Sequence, residues 1–367
     1  MVDFMLNNAF CERFALTYPI IQAPMAGVSN PVLAASVRRA GALPSLGCGA
    51  MSASTLEKAI REYMDLTGED KRPLLNINFF SHQEALIDER ANQAWLQRSA
   101  PVFEGFAAQP PSQLELIYQS LQQVEDERLE VVLKAAPQIV SFHFGLPSTA
   151  VLAKLRAQGI AIFATACDLN DAKQLEAAGV DYIVAQGFEA GGHRGIFDAN
   201  HEPAIATLEL LQLLKKECST PIIATGGIMT GHEIRTMMAH GADAVQLGTA
   251  FILCPESSAS TAYRRQLSAQ ARQNQPETVV SAAISGRPAR GLRTKLSDLG
   301  AKLEQEEGLT RPAYPFLYDV NKQLNDAALK QGEEGYGAYW SGAGLAEIRE
   351  MPASELVALL AQEAFEE

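Results

Sequence analysis

Cysteine is scarce in this chain of 367 residues: five are present, Cys11, Cys48, Cys167, Cys218 and Cys254, odd in number and far apart. No Cys-x-x-Cys pair occurs, so neither a disulfide framework nor a zinc site is indicated. Basic charge is also short. Lys and Arg total 30 against 43 Asp and Glu, a formal net charge of −13. Such a surface repels phosphate backbones and anionic lipid heads, which argues against nucleic-acid and membrane partners. No apolar run approaches the roughly 20 residues that a spanning helix needs. The start, MVDFMLNNAFCERF, lacks the basic-then-apolar order of a signal peptide. P-loop and GxSxG strings are missing too. A hydrophobic share of 47% excludes a disordered chain. What remains is a globular, cytoplasmic enzyme of one large domain or two modest ones.

What is present is a series of short apolar runs bounded by turn residues. They read PIIQAP from Pro19, ALPSLG from Ala42, PLLNINFF from Pro73, IVSFHFG from Ile139, IAIFATA from Ile160, YIVAQG from Tyr182, PIIATGG from Pro221 and AVQLGT from Ala244. Each has strand length and none alternates strictly with polar residues, the pattern of parallel strands buried on both faces. Four amphipathic stretches between them end in glycine followed by an apolar residue, at Gly41, Gly159, Gly179 and Gly241. Glycine just past a helix end takes the left-handed conformation that stops the helix. Eight such βα units predict an α/β fold, a (β/α)₈ TIM barrel, with a doubly wound open sheet as the competing architecture.

Residues 81–137, containing Trp95 and the run QLELIYQSLQQVEDERLEVVLK, read as a helical insertion after the third strand. The tail carries SGRPAR, RPAYPFLYDV and EEGYGAYWSGAGL, and its clustered aromatics, Gly and Pro suggest a segment folded over the barrel mouth. The expected division is a barrel domain at 1–260 and a C-terminal lid segment at 261–367 that completes barrel and pocket.

Three signals carry chemistry. The seventh run ends in Thr225-Gly226-Gly227-Ile228 before a helix starting near Thr230, and the eighth ends in Gln246-Leu247-Gly248-Thr249. Loops after these two barrel strands commonly hold a phosphate, because glycines admit backbone N–H groups to the anion and a helix N-terminus adds partial positive charge. The bland alternative is a tight turn. The second signal is QGFEAGGHRG from Gln186, where four glycines in ten residues can pass beneath a planar ligand. His193 sits among them, and an ordinary imidazole exchanges a proton near pH 6.5. Glu189 is the other candidate base, or it orients backbone amides. The third signal is His143, ending the fourth run, which is either a satisfied core histidine or a substrate-facing one. Asn78 and Gln186 offer amides for the polar edge of a heteroaromatic ring. Asn76 shares Asn78's face but lies farther from the mouth. His82, His201, His232 and His240 have no zinc spacing, and no metal is expected. Cys48, between two glycines, is a candidate for lining the pocket. A phosphorylated planar cofactor suits this arrangement, and FMN is the commonest one.

Taken together, these strings resemble the nitronate monooxygenases, the flavin enzymes once called 2-nitropropane dioxygenases. The matching motifs are PIIQAPMAGVSNP from Pro19, NINFF from Asn76, SFHFGLP from Ser141, QGFEAGGHRG from Gln186, PIIATGGI from Pro221, AVQLGTAF from Ala244 and SGRPARG from Ser285. They occur in the family's order. The resemblance implies an FMN barrel that oxidises alkyl nitronates such as propionate 3-nitronate with O₂ to a carbonyl compound and nitrite. It implies FMN contacts at Asn78, Gln186, Gly191, Gly227, Gln246, Leu247, Gly248 and Thr249, with the backbone near Met25 beside the ring. His193 matches the family's catalytic histidine: base toward a neutral nitroalkane, and holder of the nitronate oxygens when protonated. One string departs, since Trp340-Ser341-Gly342-Ala343 stands where the family often has Trp-Ala-Gly-Gln. The tail is therefore expected to shape its own pocket, with Tyr314, Tyr318, Tyr336 and Tyr339 as candidates to line it. The rival functions are a flavin-dependent NAD(P)H reductase of the enoyl-acyl-carrier-protein or quinone type, and a flavin carrier without turnover.

Overall fold

The computed structural model describes residues 8–84, 87–306 and 308–365. In chain order its first strands are β1 (Ile20–Gln22), β2 (Ser45–Gly47), β3 (Asn76–Phe80), β4 (Ile139–His143), β5 (Ala161–Ala166), β6 (Tyr182–Gln186), the short β7 (Gly192–His193), β8 (Ile222–Thr225) and β9 (Ala244–Leu247). All but β7 lie in one parallel sheet, ordered β1-β9-β8-β6-β5-β4-β3-β2. A parallel bridge between Ile21 and Leu43 joins its two ends. The sheet thus closes on itself as a (β/α)₈ barrel, and the open-sheet alternative falls away. Every predicted run contributes one barrel strand. All four helix-stopping glycines are left-handed, with φ of +84, +66, +72 and +92° at Gly41, Gly159, Gly179 and Gly241.

The period of two explains where polarity sits. Inward-facing Leu74, Ile139, Phe163, Tyr182, Val184, Ile223 and Ala244 fill the lower barrel. Helix Ala9–Phe14 plugs that end with Phe10 and Phe14, whose rings pack on Tyr182 and Phe163. Farther along the same inner rows come Asn78, Ser141, His143, Thr165, Gln186, Thr225 and Gln246, which line a cleft at the C-terminal ends of the strands. The outward rows, such as Ile77, Val140, Ile162, Ile183 and Ala224, stay apolar beneath the helices. The inward polar positions gather mainly toward the C-terminal ends of the strands, so most of each run reads as a hydrophobic segment.

One expectation needs correction. The run from Gln113 to Lys134 is helical only from Glu127, in helix Glu127–Ala135. Its first part is irregular because Tyr118 and Leu121 are buried, and the Leu121 amide donates to the Phe80 carbonyl at the end of β3. The longer helix of the insertion is Glu89–Gly105, which buries Trp95. The tail contributes to the barrel wall as well as to the mouth. Helix Ala353–Phe365 packs between helices Gly231–Ala239 and Pro31–Arg39 and serves as the barrel's eighth helix. The excursion over the mouth precedes it, with strands β10 (Thr278–Ser281) and β11 (Ala289–Leu292) and helices Lys295–Glu304 and Phe316–Lys330. Strand β11 pairs with β10 and with β7, placing Ala289 opposite His193. No helix among the described residues is long and apolar enough to cross a membrane.

Candidate active site

At the mouth, polar side chains lock one another before any ligand is considered. Gln186 is the hub. Its Oε1 accepts from Gly195 N at 2.8 Å, Arg194 Nη1 at 3.0 Å and Cys167 Sγ at 3.2 Å, while its Nε2 donates to the His193 carbonyl at 3.0 Å. Arg194, fully buried, pairs with Glu202 at 2.9 Å. Gln186 lines the cleft, but its oxygen is committed to shaping the glycine loop, leaving only an N–H for a ligand. His143 Nε2 also donates to the His193 carbonyl, at 3.1 Å, because a carbonyl can only accept. Its Nδ1 therefore accepts from Thr165 Oγ1 at 3.1 Å. Burial lowers His143 to about 4, outweighing the His193 carbonyl that favours the charged form. It is a neutral, fully partnered imidazole lining the cleft. Asn78 Nδ2 donates to Ser141 Oγ at 2.9 Å, which leaves its carbonyl oxygen for a ligand.

His193 is held differently. Its Nε2 lies 2.8 Å from Ser285 Oγ. That hydroxyl donates to the Arg287 carbonyl at 3.1 Å, so Nε2 carries the proton and Nδ1 keeps a free lone pair. Aromatic rings enclose it: Trp340 at 5.2 Å, Tyr314 at 5.4 Å, Phe144 at 5.8 Å and Tyr318 at 6.0 Å between centroids. Burial, then the like charges of His143, Arg287 and His82, drives it down to about 3. An ordinary titration near pH 6.5 is thus replaced by an imidazole that is neutral across the physiological range. Glu189 is not its rival as base. Glu189 Oε2 accepts from Thr207 N and Oγ1, both at 2.8 Å, and fastens the loop to the next helix.

The anion cradle also differs from expectation. Helix Gly231–Ala239 does start after Thr230. Its first amides are already taken: Glu233 Oε2 accepts from Met229 N and Thr230 N, and Glu363 Oε2 from Gly231 N. Free donors lie just before it and across the gap. Among the described residues the amides of Gly227, Ile228, Gly248 and Thr249 have no protein acceptor. Gly226 and Gly227 turn with φ of +126° and +70°, and the 3₁₀ turn Thr249–Phe251 starts beside them. Thr249 Oγ1 accepts from Gly342 N at 2.9 Å, so its own proton is available to the cleft. Convergent free amides of this kind form an anion nest. Gly191 is needed because the Ser341–Gly342 backbone crosses it, and a Cβ there would lie 2.5 Å from Gly342 N.

Met25, Asn78, Gln186, Gly191, His193, Gly227, Gln246, Gly248, Thr249 and His143 all line one cleft of about 1310 Å³, counted with its open mouth. Leu247 does not. Its side chain lies in the outer core and its carbonyl takes the Ala23 amide. Of the tail tyrosines, Tyr318 lines the cleft and Tyr314 packs on His193, whereas Tyr336 packs on Phe106 and Tyr339 on Tyr263. Tyr118 and Tyr263 line the cleft without any sequence signal. Ser285 was visible only as part of a motif string. Cys48 is buried in the outer core.

His82, 1% exposed, has neither ring nitrogen partnered among the described residues. Burial, helped by Arg287, lowers it to about 4. The unfolded chain binds this proton near 6.5 and the folded chain only near 4, so stability is whole above pH 6.5 and falls as pH drops toward 4. His143 and His193 act in the same direction. Urea unfolding of His82→Phe between pH 7 and 4.5 should show a slope shallower by about 1 kcal/mol per pH unit than wild type. An unchanged slope would place His82 in solvent.

A family profile described as "Nitronate monooxygenase" matches residues 7–363. A nitronate monooxygenase of Paraburkholderia phytofirmans is 48% identical over 99% of this chain and 96% of its own. One from Pseudomonas aeruginosa is 42% identical over 98% and 99%. Among solved structures, nitroalkane oxidase from Streptomyces ansochromogenes superposes with a TM-score of 0.83 at 36% identity, covering 96% of both chains. FabK from Thermotoga maritima reaches 0.72 at 24% identity over 98% of this chain and 96% of that one, a likeness of fold alone.

Proposed function

The chain belongs to the nitronate monooxygenase family, and we propose that it oxidises alkyl nitronates such as propionate 3-nitronate with O₂, yielding a carbonyl compound and nitrite. FMN is the proposed cofactor. The chemistry of the donor set fits it: free amides of Gly227, Ile228, Gly248 and Thr249 for a phosphate, and Asn78, Gln186 and Gln246 for the polar edge of a ring. When bound, it would supply an electron acceptor for the nitronate that O₂ can reoxidise.

The chain's own contribution is positioning and proton handling. Ser285 holds His193 Nε2–H, so Nδ1 is the atom that accepts a proton. With a neutral nitroalkane the α-proton moves to Nδ1, and the electron pair it leaves spreads onto the nitro oxygens. A preformed nitronate needs no proton removed, and there His193 serves to orient it. Phe80, Phe144, Tyr314, Tyr318 and Trp340 pack around the imidazole and keep water from competing for the proton. The observation that carries this reading is His193 with one ring nitrogen tied to Ser285 and the other without a partner among the described residues, in the same cleft as backbone amides that have no protein acceptor.

Mixing the flavin-loaded protein with propionate 3-nitronate without oxygen should bleach the flavin band within the time of one turnover, and NADH should not. Fast bleaching by NADH with none by the nitronate would assign the protein to the reductase alternative.

A further inference from the structure

Four arginines are buried, Arg128, Arg194, Arg287 and Arg290, and Arg290 donates to the Phe188 carbonyl and to Thr278 Oγ1. Arg194 pairs with Glu202 and Arg128 with Asp126. Arg287, 7% exposed, has no carboxylate within 4 Å among the described residues. Its Nη2 donates to the carbonyls of Ile196 at 2.6 Å and Phe197 at 3.3 Å, and its Nε has no acceptor. Buried guanidinium groups are ordinarily paired, since an uncompensated charge is costly. The acids in its field are Asp198 and Asp171, together with the Tyr314 hydroxyl and Cys167 thiol. Asp171 is itself raised to about 6 by burial and by Asp168.

This charge stands close to the candidate base. The Arg287 Cζ lies 4.3 Å from the Phe144 ring centroid, and the His193 ring lies 5.8 Å from the same centroid. The guanidinium carbon is therefore within about 10 Å of the imidazole centre. Phe144 keeps its place at φ +72°, a backbone region that a bulky side chain occupies only under strain. The peptide carrying Arg287 also accepts the Ser285 hydroxyl that holds His193 Nε2. The other titratable groups around His193 are His143, His82, Tyr314 and Tyr318. Burial keeps the two histidines neutral and the two phenols protonated. Among the described residues, none of the groups acting on His193 is a carboxylate.

Resting on the function proposed above, we propose that Arg287 makes this cleft selective for anions: its charge, unpaired among the described residues, favours an anionic ligand over a neutral one of the same shape. The positive field needs no contact with the ligand, because the interior screens it weakly.

The test uses the flavin-loaded full chain, with ¹⁵N-labelled histidine for the His193 titration and nitrate as an inert planar anion read through the flavin absorption band. Arg287→Gln and Arg287→Met remove the charge, the first keeping an N–H donor, and Arg287→Lys retains it. Either neutral variant that folds should raise the His193 midpoint by about one pKa unit and weaken nitrate binding about tenfold. Arg287→Lys should stay within about threefold of wild-type nitrate affinity. A folded neutral variant with unchanged midpoint and affinity overturns the proposal. Neither readout requires turnover, so a protein that bound nitrate in this way yet left nitronates unoxidised would refute the function and leave the role of Arg287 standing.

Discussion

Replacing His193 with Asn should leave flavin bound and cut turnover of neutral nitroalkanes by about 10²-fold or more, the usual worth of a positioned general base. The cofactor should stay because the cradle amides of Gly227, Gly248 and Thr249 belong to other loops. Turnover should fall because Nδ1 is the nitrogen left free once Ser285 has taken Nε2–H. The loss should be smaller for a preformed nitronate, whose α-proton has already gone. Steady-state kcat/KM for a nitroalkane and for its nitronate, normalised to flavin content, separates the two effects. Wild-type rates with the nitroalkane would remove His193 from proton abstraction.

The second large effect is expected at Gly227. Its φ of +70° suits glycine, and a side chain there costs roughly 1–2 kcal/mol before any contact is counted. Its Cβ would also lie 2.9 Å from the Glu189 Cβ. Glu189 cannot yield freely, because its carboxylate holds both Thr207 N and Oγ1. Gly227→Leu should therefore displace the amides that face the phosphate and weaken FMN binding at least about tenfold, with helix content preserved by circular dichroism. A full complement of flavin in a folded Gly227→Leu protein would mean that the phosphate sits elsewhere.

Much of this architecture could be read from short segments, because its signals are local. Eight apolar runs became eight barrel strands, and Gly41, Gly159, Gly179 and Gly241 stop helices as their spacing suggests. The polar residues at strand ends, Asn78, His143, Gln186 and Gln246, lie around one cleft because period two carries each onto the inner row. What could not be read depends on distant parts of the chain meeting. Helix Ala353–Phe365 shields helix Gly231–Ala239 from more than a hundred positions away, and Glu363 takes the very amide that local reading offers to a phosphate. Segment 113–126 has a helical composition, yet burial of Tyr118 against Phe80 and Tyr318 draws it into an irregular path. The acidity of the His193 imidazolium is likewise a property of its enclosure. Ser285 and Arg287 reach it from one loop and His82 from another. Even the glycine loop depends on the tail, since β7 exists only because β11 pairs with it.

The central claim is that one FMN lies in this cleft, its phosphate on the amides after β8 and β9 and its ring beside His193. The visible absorption spectrum of the purified full-length protein tests it most directly, with the flavin released on denaturation identified and counted. The account predicts a yellow protein that yields about one FMN per chain, or takes it up when FMN is added. A folded, colourless protein that binds no added FMN would contradict it.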